Sequence, residues 1–269
     1  MDNRILENKT AVIHGAGGTI GGAIARAFAR QGAKVFLAGR TLAKLDAVAR
    51  DVTSAGGVAE TARVDALDER AVNAHADAVA AKAGGIDIAV NAVGIRHVQG
   101  TPFAELSLED YALPITAYTR TNFITAKAAA RHMVKAGRGV ILTLSTPGSR
   151  MAGTGFLGYG ATCAAVEAFT RLLAAELGAS GIRVNCLRPH AIPEAAAKGS
   201  HSRDVFRGPA ERAGVSVEAM LAQMAAQGTL LKRLPTLDEV ANTAAFLASD
   251  QASAMTGAIA NLTCGGLVD

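Results

Sequence analysis

Apolar residues come in short unbroken runs separated by longer stretches in which they recur at helical spacing, and the two patterns alternate along the chain. Thr10 to His14 reads as a first strand. Ile20 to Gln31 puts Ile24, Ala27 and Phe28 on one helical face, with Gly32 as its stop. Lys34 to Ala38 reads as a second strand, followed by a helix from about Leu42 to Thr53. Val58 to Val64 is a third strand, and a helix follows from about Asp68 to Ala83. Ile86 to Asn91, Val140 to Leu144, Ile182 to Leu187 and Ile259 to Leu262 supply four more strands, the last after a helix near Leu237 to Ala248. Strands that are apolar nearly throughout are buried on both faces, as parallel strands covered by helices are. The pattern therefore predicts an α/β fold, a doubly wound parallel sheet in a single domain over 1–269. Pro193 to Gly228 breaks the rhythm, polar and punctuated by glycine before a helical Val217 to Ala226. Its late position makes 193–228 a candidate lid over a substrate cleft.

Composition narrows the class without naming a function. Half of the 269 residues are hydrophobic, enough for a large core. The net charge is +4 with no run of like charge, which fits an anionic small ligand as well as nucleic acid, and we expect no nucleic-acid partner. Met1 to Glu7 mixes charges and lacks the apolar core of a secretory signal, and no apolar run approaches the roughly 18 residues of a spanning helix. A soluble, cytoplasmic protein is expected. Cys163, Cys186 and Cys264 are far apart, so neither a disulfide framework nor a metal site is indicated.

The first strand runs into His14-Gly15-Ala16-Gly17-Gly18-Thr19-Ile20-Gly21. Glycines here let the backbone approach a pyrophosphate, and the helix that follows offers free N–H groups and a positive dipole end. This is the arrangement of a Rossmann-type dinucleotide site. At the end of the second strand, Ala38-Gly39-Arg40-Thr41 holds no acid to bond the ribose hydroxyls of NAD, while Arg40 suits a 2′-phosphate, so NADP(H) is expected. Asp65, ending the third strand, is placed either to bond the adenine amino group or to cap the helix from about Asp68.

Together these residues resemble the short-chain dehydrogenase/reductase family over nearly the whole chain. The family's Thr-Gly-x-x-x-Gly-x-Gly falls on His14, Gly15, Thr19 and Gly21, with two of its four positions changed. Its Asn-Asn-Ala-Gly reads Asn91-Ala92-Val93-Gly94. Its serine falls on Ser145 and its tyrosine on Tyr159. The lysine four residues after the tyrosine is Cys163, and the helix asparagine falls on Tyr118, with Asn122 one turn too far along. Pro189 matches, but the glycine expected after it is His190 and the threonine a little later is Glu194.

The resemblance implies that Tyr159 exchanges a proton with the substrate oxygen and that Ser145 bonds that oxygen. The lysine would hold the nicotinamide ribose and lower the tyrosine's pKa, and the asparagine would support a water chain. A Cys thiol carries no cation to lower a phenol from its usual value near 10. Cys163 reads first as a small buried hydrophobe and second as a catalytic thiol. Cys186 reads as strand packing, and Cys264 has no evident task. His14 is expected to bond backbone, and Tyr118 to fill space left by the shorter Cys163. His97 and His190 read as solvated loop residues, with substitution for the proton donor as the sharper alternative. The expected function is an NADP(H)-dependent oxidoreductase acting on a small-molecule carbonyl or secondary alcohol. The alternatives are a silent nucleotide-binding or regulatory member, and a lyase or dehydratase using Tyr159 without net hydride transfer. The apolar helix from Gly160 to Leu177 and the Gly-rich C-terminus correspond to subunit contacts in the family, which implies a homo-oligomer, a tetramer.

Overall fold

The computed structural model describes residues 4–198 and 200–268. Seven parallel strands form one sheet in the order β3-β2-β1-β4-β5-β6-β7. They are β1 (Thr10–His14), β2 (Lys34–Gly39), β3 (Val58–Arg63), β4 (Ile88–Asn91), β5 (Gly139–Leu144), β6 (Ile182–Pro189) and β7 (Ile259–Leu262). Side chains alternate between the two faces along each strand, so the central strands feed two cores. Ala11, Ile13, Val35 and Leu37 join the core that packs against α1 (Thr19–Arg30), α2 (Leu42–Ser54) and α9 (Leu237–Ala248). Val12, Phe36, Ala38 and Ile141 join the other, under α3 (Glu69–Ala83), α4 (Leu108–Ala136) and α5 (Leu157–Leu177). Burial on both faces is the physical reason for the unbroken apolar runs.

The chain lays β1, β2 and β3 outward to one edge, then crosses back so that β4 pairs with β1 on the other side. Strand order reverses between β1 and β4, and open α/β sheets bind ligands at the carboxyl ends of such a reversal. Asp68 caps α3 by accepting a bond from the Ala71 N–H at 3.0 Å, and Asp65 accepts from the Leu67 N–H at 3.0 Å. The acid at the end of the third strand thus shapes the turn, and its neighbour caps the helix.

The segment expected to be irregular is helical instead. Pro193 to Gly228 contains α6 (Pro193–Ala197), α7 (His201–Arg212) and α8 (Val217–Gly228). The missed helix, α7, is highly polar and carries Pro209 inside it, so no apolar stripe advertised it. Caps and ion pairs accompany it. Ser200 accepts a bond from the Ser202 N–H, and Asp204 on α7 pairs with Arg96 at 3.0 Å.

Candidate active site

The loop after β1 is drawn tightly around the sheet end. Gly15 has φ +79°, and a Cβ on it would run into the Ala92 carbonyl beyond β4. A Cβ on Gly21 would strike the Gly15 carbonyl. These positions require glycine for close approach, and Gly21 is buried rather than part of the cleft wall. Gly18 is the N-cap of α1 with no side-chain cap, which leaves the first N–H groups of α1 facing a cleft of about 810 Å³. Gly15, Gly17, Gly18, Thr19 and Ile20 line it at one end, Arg40 and Asp65 at the other, and Gly94 opposite. Lys44, on the first turn of α2, stands in the same wall as Arg40 and was not singled out from the sequence.

His14 departs from expectation. Its ring is buried and neither nitrogen has a hydrogen-bond partner among the described residues; it meets His75 edge-on at 6.1 Å. Burial, with His75 beside it, lowers its pKa to about 3. It is a neutral packing group where the family has threonine.

A second cavity, of about 260 Å³, adjoins the first and holds the residues expected to carry chemistry. Ser145, Tyr159, Tyr118, Asn91, Pro189, His97 and His190 all line it. Asn91 works as a loop brace, donating to Thr125 at 3.1 Å and accepting from the Val93 N–H at 3.0 Å. Tyr159 stacks on the His97 ring at 4.2 Å and 15°. Its hydroxyl bonds Thr146 and Cys163; burial first, then Cys163 and Tyr118, hold its pKa well above 10. The Cys163 side chain is 3% exposed and 3.2 Å from the Thr146 hydroxyl, and burial raises its thiol too. The Tyr118 hydroxyl accepts from the Ile95 N–H at 3.1 Å, and burial pushes its pKa up to about 12. Asn122 donates to the Tyr118 carbonyl at 2.9 Å, which ties its amide to its own helix.

The two histidines are not solvated loop residues. His97 has Nδ1 at 2.8 Å from the Ile95 carbonyl, so Nδ1 carries the proton and Nε2 accepts from the Gln99 amide at 2.9 Å. Burial lowers its pKa to about 4. His190 is 8% exposed, and its Nδ1 accepts from the Ala191 N–H at 2.7 Å.

Three residues of this site escaped the sequence reading. Glu167 is buried on α5 and accepts bonds from Ser145 at 2.8 Å and Ser149 at 2.6 Å. The Arg188 Nε lies 3.8 Å from the same carboxylate, an ion pair rather than a hydrogen bond. Glu167 follows Tyr159 by eight positions and Cys163 by four, so the three share one helical face; an acid in that register was the available signal. His201, at the start of α7, packs on Gly94 and lines both cavities, a placement that only the fold of the lid segment creates.

A family model described as enoyl-(acyl carrier protein) reductase matches residues 15–266. D-threitol dehydrogenase of Mycolicibacterium smegmatis is 32% identical over 258 residues, covering 94% of this chain and 90% of that protein. The 7α-hydroxysteroid dehydrogenase of Escherichia coli is 30% identical over 266 residues, covering 99% and 97%. A solved 7α-hydroxysteroid dehydrogenase in complex with NADH and 7-oxo glycochenodeoxycholic acid superposes with a TM-score of 0.86 at 30% identity, over 100% of this chain and 98% of that one. Fold and site define a short-chain oxidoreductase that uses a nicotinamide cofactor. The chain belongs to the short-chain dehydrogenase/reductase family. Among the described residues no helix is long and apolar enough to cross a membrane, and no group of three or more His, Cys, Asp or Glu is placed to hold a metal.

Proposed function

We propose that the protein is an NADP(H)-dependent carbonyl reductase or secondary-alcohol dehydrogenase. It is one domain, with 193–228 folded over the substrate and Ser145 and Tyr159 facing the substrate oxygen. The observation that carries the cofactor choice is the end of β2. Arg40 and Lys44 both line the cleft there, and Gly39-Arg40-Thr41 contains no acid. Two cations beside an adenosine ribose neutralise a 2′-phosphate, whereas NAD is favoured by a carboxylate.

Gly17, Thr19 and Ile20 would offer backbone N–H groups to the pyrophosphate, with Gly15 and Gly18 shaping the turn through their N–H bonds to the Ala38 and Gly15 carbonyls, and Asn91, Gly94 and Pro189 would frame the nicotinamide end. Bound there, the cofactor supplies or accepts hydride. The chain's own part is to bind the substrate oxygen and handle its proton. Tyr159 keeps its proton across the neutral range, so it acts as a hydrogen-bond donor once its bonds to Thr146 and Cys163 open. His97, neutral above about pH 4, stacks on the same ring with both nitrogens already bonded, Nδ1 to the Ile95 carbonyl and Nε2 to the Gln99 amide.

The test is cofactor affinity. Arg40→Ala should weaken NADPH binding by about 1.5–3 kcal/mol, the loss of a charge-assisted bond, and leave NADH binding nearly unchanged. Equal affinity of the unaltered protein for the two cofactors would overturn the NADP(H) assignment.

A further inference from the structure

The 260 Å³ cavity differs in kind from the cofactor cleft beside it. Its wall contains no Lys, Arg, Asp or Glu among the described residues. A carboxylate or phosphate buried in it would have no counter-charge, a placement that costs several kcal/mol. Several of its polar groups are committed to the protein. The Ser145 hydroxyl donates to Glu167, the Thr146 hydroxyl meets Cys163, the Gln99 amide faces His97, and His190 Nδ1 accepts from Ala191. Asn122 Oδ1 and Ser202 Oγ are buried in the wall without a partner, so a few bonds are open to a ligand, fewer than a polyol would give up in water. Away from Ser145 and Tyr159 the wall is Met151, Phe156, Ile192, Ala195, Phe206 and Met224, the last four from the β6 exit and the lid. The volume lies below the roughly 300–1,000 Å³ of pockets that enclose drug-sized ligands, and it suits a compact molecule better than a tetracyclic skeleton. A few polar groups set in a mostly apolar, uncharged wall suit a small molecule with few oxygen functions.

We propose that this site takes a compact, uncharged alicyclic ketone or the corresponding secondary alcohol, and discriminates against polyols, carboxylates and steroid-sized substrates. The assignment rests on the oxidoreductase reading above, so binding and turnover are measured separately. Calorimetry in the presence of NADP+ would compare camphor and cyclohexanone with oxocyclohexanecarboxylate and with erythrulose. The NADPH oxidation rate would be followed with the same four probes. The neutral ring ketones should bind at least tenfold more tightly than the carboxylate or the sugar, with the same order in kcat/KM.

Ala195→Leu should narrow the apolar end and weaken camphor severalfold more than cyclohexanone. Met224→Arg should add a cation to the lid and move the carboxylate-to-neutral ratio toward the carboxylate by at least tenfold. Preferred reduction of erythrulose or of the carboxylate would overturn the substrate class and leave the oxidoreductase reading standing. Selective binding of the ring ketones without NADPH oxidation would support the class and defeat that reading. Failure of both ring ketones to bind would overturn the class.

Discussion

Tyr159, Cys163 and Glu167 share one face of α5, and each has a hydrogen-bond partner on the segment that follows β5. The tyrosine and the thiol meet Thr146, and the carboxylate takes both Ser145 and Ser149. The negative charge in this cluster is Glu167, and the cation beside it is Arg188; their side chains are 6% and 2% exposed. Removing one charge from a buried pair leaves the other poorly compensated. Glu167→Gln should therefore lower unfolding stability by on the order of 3 kcal/mol, read as a lower urea midpoint at unchanged slope. An unchanged midpoint would show that the pair contributes nothing.

The missing cation gives a second test at this scale. Cys163→Lys should bring the alkaline limb of the pH–rate profile downward, because a positive charge beside Tyr159 favours the phenolate. Tyr159→Phe should abolish most of the rate. If the rate survives, the His97 ring stacked on it becomes the proton-handling group.

The 193–228 segment is tied to the rest of the chain through the middle of α7. Arg96 reaches from the loop after β4 to Asp204 on α7, and Pro209 rests on Gly100. Gly100 has φ +82° and its N–H donates to the Gly155 carbonyl at 2.8 Å, while Gly155 itself has φ +82°. A Cβ on Gly100 would come within 3.0 Å of the Pro209 ring. Gly100→Ala combines a disfavoured backbone conformation with that clash, a cost of about 1–2 kcal/mol. The expected result is a severalfold rise in KM for the carbonyl substrate with NADPH affinity unchanged. An equal loss in both would mean that this contact supports the sheet ends rather than the lid.

Across the whole molecule, protonation and assembly are the measurable consequences. His14 and His97 titrate at about 3 and about 4 in the folded chain, against 6.5 for an ordinary histidine. Between those values the unfolded chain binds protons that the folded chain refuses. The stability these histidines contribute is therefore complete above about pH 6.5 and is lost as pH falls toward 4 and then 3. Each should contribute a slope of about 1.4 kcal/mol per pH unit inside its window, and His14→Thr should remove one of the two. A urea midpoint that stays flat from pH 6.5 to 4.5 would contradict this.

Helices α4 and α5 leave Phe123, Val134 and Leu172 about half exposed or more. We propose a homotetramer with two-fold interfaces, of which these helices form one. Light scattering should report the tetramer, and Leu172→Glu should reduce it to a smaller species; a monomer at micromolar concentration for the unaltered chain would refute the proposal.

The central strands were legible in the sequence because they are buried on two faces, and double burial leaves a local mark, an unbroken apolar run. The edge strands β3 and β7 are only partly buried and carry polar residues, so the alternation with helices marked them instead. The glycine turn was legible for a similar reason, since backbone contact at Gly15 and Gly21 admits no side chain. Arg40 stood out by charge at a known strand end, and Ser145, Tyr159 and the substituted Tyr118 and Cys163 by the resemblance to the family's motifs. Other features depend on partners far away in the chain, and no local pattern encodes those. Glu167 is eccentric only once Ser145, Ser149 and Arg188 surround it. His14 lost its expected backbone bond because β1 carries it into a closed space beside His75. Helix α7 has a local cap in Ser200 but no apolar stripe, and its pairing with Arg96 is tertiary; it is that helix which brings His201 onto Gly94. Composition and periodicity determined the scaffold, where one residue's burial is enough to constrain it; the polarity and size of the second cavity were decided only where side chains from distant stretches of chain met.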